Sequence, residues 1–427
     1  MSDTPIILVL VPGTTGSTLV GYDRVIGANA VVWPDVVGLD VDHDAVDDAV
    51  RQLKRTDLWP GTLLGLDDPI RPAGYQPFVD FFTAQGFQQA NARYGLRGPA
   101  PRWGLPNTLT GNLLVTFPYD WRADCTASGA LLTNLLSTVH TLYGAGGYDL
   151  YLVAHSMGGL VSRACLETAG TGDPWLAAVK GLITLGTPHL GAPLALAAIT
   201  GQLDGLLPAR KRMDTMVTDF VDTSYSASTF QLLPPPVFEG DPTSPAPTRY
   251  VQDRTGTEAT WWNLLDPGIS PAVTDTVKAA AQAAVGPGAT INYDQEIGNA
   301  KAFFATLDYT GQPRPGKPDL PPYFCVAGMV SGNDAQDTGT TVVSFLCDAD
   351  AGVLTSYSDF DGDTIVPGWS AGFAGRPGGV AGTFTAAGVD HLRLPSDPGV
   401  QLQVASWIGL SPIRSADPAR AATASGA

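Results

Sequence analysis

A serine set between an apolar run and a helical pattern is the feature of this sequence best suited to covalent chemistry. Ala154-His155-Ser156-Met157-Gly158 follows Tyr148 to Val153, which reads as a strand, and leads into Gly158-Gly159-Leu160-Val161, which reads as the start of a helix. In a sharp strand-to-helix turn the residues two before and two after the serine must be small, so that neighbouring backbones can pass. Gly158 meets that demand, and so does Ala154, which stands where glycine is more usual. Such a turn presents the hydroxyl to a base and aims the next amide, that of Met157, at a developing oxyanion.

A serine hydroxyl reacts only when a base takes its proton, and the chain offers five histidines: His43, His140, His155, His189 and His391. The strand–turn–helix arrangement orders its partners as nucleophile, acid, histidine. His43 and His140 precede the serine, His155 is its neighbour and points elsewhere on the turn, and His189 comes too early for an acid to precede it. His391 is left as the base. The acid should close a turn between the two, and Ser358-Asp359-Phe360-Asp361-Gly362-Asp363-Thr364-Ile365-Val366-Pro367 supplies one. The Asp-x-x-Val-Pro spacing selects Asp363, with Asp361 as the alternative and Asp359 third. A calcium loop would need further carboxylates in register, which this turn lacks. Asp390, beside the base, reads as a surface residue.

A second oxyanion donor is expected from the loop Val11-Pro12-Gly13-Thr14-Thr15-Gly16-Ser17, where Gly13 lets the backbone swing the Thr14 amide toward the serine. The loop lacks the Gly-Lys-Ser/Thr ending of a phosphate-binding loop. The proposed chemistry needs no metal and no organic cofactor.

Positioning these groups requires a scaffold of parallel strands with helices between them. Short, nearly continuous apolar runs at 6–11, 113–117, 149–154, 181–185 and 322–329 read as buried parallel strands. Leu131, Leu132, Leu135, Leu136 and Val139 fall at helical spacing. The alternation predicts an α/β fold, a doubly wound, mostly parallel sheet. The core is expected from 1–20, 111–205 and 321–412. Segments 21–110 and 206–320 are too long for plain loops and read as a first cap insertion and a second cap or lid insertion. In the second, Trp261 and Trp262 would hold an acyl chain, touch a lipid surface or form the cap's own small core. The tail 413–427 reads as disordered.

Bulk properties narrow the function. The chain has 427 residues, beyond the range of about 250–300 in which single cores stop growing. Hydrophobic residues make up 44% and charged residues 15%, which argues for a compact protein rather than a disordered one. A net charge of −17 repels polyanions and disfavours nucleic acid as a partner. The apolar run at 6–11 is too short to span a membrane and has no basic stretch before it, so the chain reads as soluble and cytoplasmic. Cys125, Cys165, Cys325 and Cys347 have no metal-site spacing. Cys165 reads as a buried free thiol, and Cys325 and Cys347 are a candidate pair across neighbouring strands.

Several segments together resemble the lecithin:cholesterol acyltransferase family, which includes lysosomal phospholipases and phospholipid:diacylglycerol acyltransferases. They are Val11 to Ser17, Val31-Val32-Trp33-Pro34-Asp35, Phe117-Pro118-Tyr119-Asp120-Trp121-Arg122, Ala154 to Gly158, Leu185-Gly186-Thr187-Pro188 and Asp361-Gly362-Asp363. The resemblance implies an α/β-hydrolase with cap and lid that acts on a lipid ester through an acyl-enzyme. It implies Ser156, Asp363 and His391 as the triad and Thr14 and Met157 as oxyanion donors, and it puts Trp33 near a lid by the acyl site. Asp120 and Arg122 precede the serine and read as an ion pair bracing the core, with Trp121 packed beside them.

The expectation is therefore a serine hydrolase or acyltransferase that passes an acyl group to water or an alcohol, with transient contact to a lipid surface. Two alternatives stay open. One is an esterase, thioesterase, lactonase or amidase of a soluble metabolite, and the other is a non-catalytic binding module on the same fold.

Overall fold

The structure is a computed structural model. It describes residues 4–23, 28–33, 53, 55, 57–64, 66, 74–91, 93–94, 101–202, 227–236, 248–255, 259–285, 290–309, 316–331, 341–359, 361–374 and 379–410. The tail 413–427 lies outside the described residues.

In chain order the first strands are β1 (Ile6–Val11), β2 (Ser17–Asp23), β3 (Ala28–Trp33), β4 (Trp59–Leu63), β5 (Gln88–Asn91), β6 (Arg93–Tyr94), β7 (Pro101–Arg102) and β8 (Leu113–Thr116). They are followed by β9 (Asp149–His155), β10 (Val179–Leu185), β11 (Val251–Asp253), β12 (Thr260–Trp262), β13 (Tyr323–Met329), β14 (Thr341–Asp348), β15 (Val353–Asp359) and β16 (Gly382–Ala387). Seven of them form the main sheet in the order β16-β13-β10-β9-β1-β8-β5, and every pairing in it is parallel. Each apolar run predicted as a strand lies in this sheet.

Period-two alternation sends the residues of β1 to two separate cores. Ile7, Val9 and Val11 join one cluster with Leu132, Leu135 and Leu136 of the helix Cys125–Tyr143 and Leu160 and Val161 of the helix Gly158–Thr168. Leu8 and Leu10 join the other, with Phe78 and Phe82 of the helix Gln76–Ala84 and Val400 and Val404 of the helix Pro398–Trp407. Helices therefore cover both faces, and β1 is apolar throughout because neither face meets water. Burying each such leucine stabilises the fold by about 1.5–3 kcal/mol.

Two helix starts follow directly from local sequence. Asp124 accepts from the Thr126 amide at 2.6 Å and the Ala127 amide at 3.3 Å and so caps the helix Cys125–Tyr143. Asp397 caps the last helix by accepting from Val400 N at 2.9 Å, with Pro398 at its first position.

Strand β5, from the segment expected to be a first insertion, completes one edge of the main sheet by pairing with β8. Conversely, the hairpin β14–β15, from a segment assigned to the core, pairs through β14 with β11 of the second insertion. The result is a four-stranded sheet, β12-β11-β14-β15, beside the main one. Strands β3, β2 and β4 make a third sheet. All four cysteines are free and buried. Among the described residues no helix is long and apolar enough to cross a membrane.

Candidate active site

The carboxyl ends of the parallel strands meet where the chain reverses direction across the sheet, which is where open α/β sheets place ligands. From β1 the chain goes to β5 and β8 on one side, then crosses to β9, β10, β13 and β16 on the other. Val11 pairs with Ala154, so the loop after β1 and the turn after β9 emerge side by side.

Ser156 holds φ at +54°, in the left-handed region that a non-glycine residue enters at a cost. Neighbouring strands fix it there. Its amide donates to Leu185 O at 2.9 Å, and its carbonyl accepts from Thr187 Oγ1 at 2.8 Å. Gly158 is needed because a Cβ there would stand 2.4 Å from Pro12 O and 2.6 Å from Val11 O. Behind the serine, the helix Gly158–Thr168 directs its amino end at the site.

Three side chains from distant parts of the chain form a continuous hydrogen-bonded line. His391 Nε2 lies 2.8 Å from Ser156 Oγ, and His391 Nδ1 lies 2.7 Å from Asp363 Oδ2. All three residues are buried, with Ser156 retaining 8% exposure and Asp363 none. A carboxylate only accepts, so Nδ1 carries the hydrogen and Nε2 is left to accept the serine proton. The second carboxylate oxygen of Asp363 accepts from the amides of Val366 at 2.7 Å and Ile365 at 3.1 Å, and the Asp363 carbonyl accepts from His391 N at 2.8 Å. The aspartate is thus held from its own turn and from the histidine loop together.

Of the two candidate acids, Asp363 is the one whose Oδ2 lies 2.7 Å from His391 Nδ1. Asp361 takes part in the same turn through its carbonyl, which accepts from Gly368 N at 3.2 Å. Burial, with Asp359 nearby, pushes the Asp361 carboxyl above its ordinary range. Asp390 departs from expectation. It is buried, and its side chain accepts from Leu392 N at 3.1 Å, capping the short helical turn that carries His391.

The loop after β1 packs directly on the serine. A Cβ on Gly13 would come within 2.6 Å of Ser156 Cβ and 3.3 Å of Oγ. Among the described residues neither the Thr14 nor the Met157 amide donates a backbone hydrogen bond, so both remain available to a ligand. Thr14 Oγ1 reaches Met157 Sδ at 3.5 Å, which brings the two candidate donors together.

The Pro118 to Arg122 segment has two jobs, one of which sequence reasoning missed. Arg122 grips Asp120 in two-pronged fashion, Nε to Oδ1 at 2.9 Å and Nη2 to Oδ2 at 2.6 Å, and its Nη1 donates to the carbonyls of Leu53 and Arg55. This is the expected brace. In addition, Tyr119 Oη donates to Pro12 O at 2.9 Å, Tyr119 N to Ser17 Oγ at 3.1 Å and Trp121 Nε1 to Ser17 O at 3.2 Å. The segment therefore holds both ends of the loop that carries Thr14.

The three tryptophans expected near substrate are less informative. Trp33 ends β3, where it pairs with Leu19, and its side chain lies outside the described residues. Trp261 and Trp262 lie half-buried on β12, an edge of the four-stranded sheet, and Trp262 packs against the main core. Among the described residues no hydrogen bond or ring contact joins either to Ser156, His391 or Asp363. Nor is any cluster of three or more His, Cys, Asp or Glu side chains there placed to hold a metal ion.

The parallel sheet with helices on both faces and a serine on a strained turn at its carboxyl edge define an α/β-hydrolase fold. A chain of the Tle4–Tli4 complex shares it, with a TM-score of 0.59 at 14% identity over 95% of this chain and 98% of that one. The lipase BlEst2 of Bacillus licheniformis is more remote, with a TM-score of 0.37 at 12% identity over 96% and 93% of the two chains. The lin2722 product of Listeria innocua has a TM-score of 0.38 at 11% identity over 97% and 96%. Within this class, the resemblance read from the motifs is borne out: a sequence model of the lecithin:cholesterol acyltransferase family matches residues 107–264. That stretch holds the Pro118 to Arg122 segment and the serine turn. No curated protein matches the chain in sequence.

Proposed function

We propose that the chain is a serine-dependent lipid ester hydrolase or acyltransferase in which Ser156, His391 and Asp363 act as nucleophile, base and orienting acid. The observation that carries this reading is the unbroken line from Ser156 Oγ to His391 Nε2 at 2.8 Å and from His391 Nδ1 to Asp363 Oδ2 at 2.7 Å.

His391 takes the proton as Ser156 Oγ bonds to the ester carbonyl carbon, and the carbonyl electron pair moves onto oxygen. The amides of Thr14 and Met157 receive that oxyanion, and donors placed in advance are worth about 10²–10³-fold each in rate. Collapse restores the carbonyl and breaks the bond to the leaving alcohol, which takes the proton back from His391 Nε2. Water or an acceptor alcohol then gives its proton to His391 and attacks the acyl-enzyme, and the same steps in reverse free Ser156. Asp363 keeps the imidazole in the tautomer that accepts at Nε2 and stabilises the cation that forms.

The family match favours a lipid ester as substrate. Turnover of a panel of esters varied in chain length and headgroup, with and without added alcohol and with products identified by mass, tests this. Release of long-chain fatty acid or its transfer to the alcohol supports the reading. Activity confined to thioesters, lactones or amides of small polar acids would replace it.

A further inference from the structure

The histidine beside the nucleophile is not part of the triad, yet its surroundings are as closely specified as those of His391. His155 is buried, with its Nε2 2.9 Å from the carbonyl oxygen of His391 and its Nδ1 2.8 Å from Tyr75 Oη. Tyr75 Oη in turn lies 2.9 Å from the amide nitrogen of Gly13. Tyr75 is itself buried and sits just before the helix Gln76–Ala84, its backbone tied to Leu64 O.

Every hydrogen in this chain has a single place to go. A carbonyl oxygen only accepts, so His155 Nε2 carries the hydrogen that points at His391. Burial, with His391 facing it, pushes the His155 pKa down to about 3, so the ring is neutral and Nδ1 presents a lone pair. Tyr75, kept protonated by burial, gives its O–H to that lone pair, which turns its own oxygen toward the Gly13 N–H. The direction runs Gly13 to Tyr75 to His155 to His391, with no position filled by competing donors or competing acceptors.

We propose that Tyr75 and His155 are positioning residues that set the distance between the oxyanion loop at Gly13-Thr14 and the backbone of the base His391. The proposal rests on the reading of Ser156 and His391 given above. Thr14 follows β1 and His391 follows β16, four strands away in the sheet order. The two must nevertheless address one reacting carbonyl, and a misplacement of about 1 Å can cost roughly 10²-fold in rate. Beside the packing of Gly13 on Ser156, the Gly13–Tyr75–His155–His391 chain ties the two loops together through hydrogen bonds.

Tyr75→Phe removes one oxygen and breaks two links, while His155→Gln keeps an N–H for His391 O and loses the acceptor for Tyr75. Steady-state kinetics on a short soluble ester and the rate of labelling by a fluorophosphonate would be measured for both variants and for the double variant. The expected result is a loss in kcat of roughly 10- to 100-fold with KM changed less than about twofold. Labelling should slow in parallel, and the double variant should be no worse than the poorer single one, since a broken chain cannot be broken twice. Lower thermal stability with unchanged kcat and labelling would make the pair structural only and overturn the proposal, as would losses that multiply in the double variant. A wild-type protein that neither turns over esters nor labels would instead overturn the serine reading, and this proposal with it. Should the variants fail to fold, ¹⁵N spectra of the histidine-labelled wild-type protein decide the matter. A neutral His155 with its hydrogen on Nε2 at pH 7 is expected, and a hydrogen on Nδ1 would overturn the chain.

Discussion

Gly13 and Ser156 touch so closely that a Cβ on the glycine would stand 2.6 Å from the Cβ of the serine. The loop that carries Thr14 and the turn that carries Ser156 are therefore one packed unit. Gly13→Ala should push the Thr14 amide away from the oxyanion position, lowering kcat by about 10²–10³-fold. Circular dichroism should show the fold retained. Wild-type rates in this variant would mean that the loop lies elsewhere during reaction.

Asp363 and Asp361 lie in one turn, and Asp363 is the one whose carboxylate meets His391 Nδ1, at 2.7 Å. Asp363→Asn leaves the turn's shape but favours the wrong imidazole tautomer, so kcat should drop by about 10³–10⁴-fold. Asp361→Asn should stay within about tenfold of wild type, because the Asp361 carbonyl that closes the turn is unchanged. Kinetics of the two variants side by side check this, and a reversed order would reassign the acid.

Neutral burial of His155 makes stability depend on acid. Its pKa is 6.5 when free and about 3 in the fold, lowered first by burial and then by His391, with Tyr75 the other polar group facing the ring. Below pH 6.5 the unfolded chain takes up a proton that the folded chain refuses until about pH 3, so stability is lost as pH falls through that window and is unaffected above it. By the general conversion of pH units to free energy the loss should reach roughly 3 kcal/mol at pH 4.5. Melting curves from pH 7.5 to 4.5 should therefore be steeper for the wild type than for His155→Gln.

The helix Gly158–Thr168 also carries a fully buried ion pair, Arg163 Nε to Glu167 Oε1 at 2.7 Å. Glu167 further accepts from Tyr323 Oη at 2.8 Å and from Asp308 N. Arg163→Met leaves a carboxylate buried without its countercharge and should destabilise the fold by about 3–5 kcal/mol, read as a lowered denaturant midpoint. An unshifted midpoint would show that the carboxylate relaxes or is neutralised.

The central strands and the serine turn were legible in the sequence because each has a local signature. Strand β1 is an uninterrupted apolar run since both its faces are buried, and the turn needs small residues at 154 and 158 whatever surrounds it. The edges were not legible. Strand β5 reads Gln-Gln-Ala-Asn and β16 alternates exposed residues with half-buried ones and the buried Ala386, because an edge strand meets water and carries no apolar run. His391 emerged from chain order alone, and Asp363 from a turn pattern.

Tyr75, Tyr119 and the second partner of His155 act through hydrogen bonds to backbone atoms 62, 107 and 236 residues away, and backbone atoms have no residue identity to be read. Asp390 was misread as a surface residue for the opposite reason. An aspartate next to a candidate histidine looks solvated until its capping bond to Leu392 N is seen.

The central claim, that Ser156 is the nucleophile, is tested most directly by mass spectrometry of the protein after reaction with a fluorophosphonate. One covalent adduct is expected, on the peptide containing Ser156, and it should be absent from Ser156→Ala. An adduct on another residue, or equal labelling of Ser156→Ala, would contradict the account.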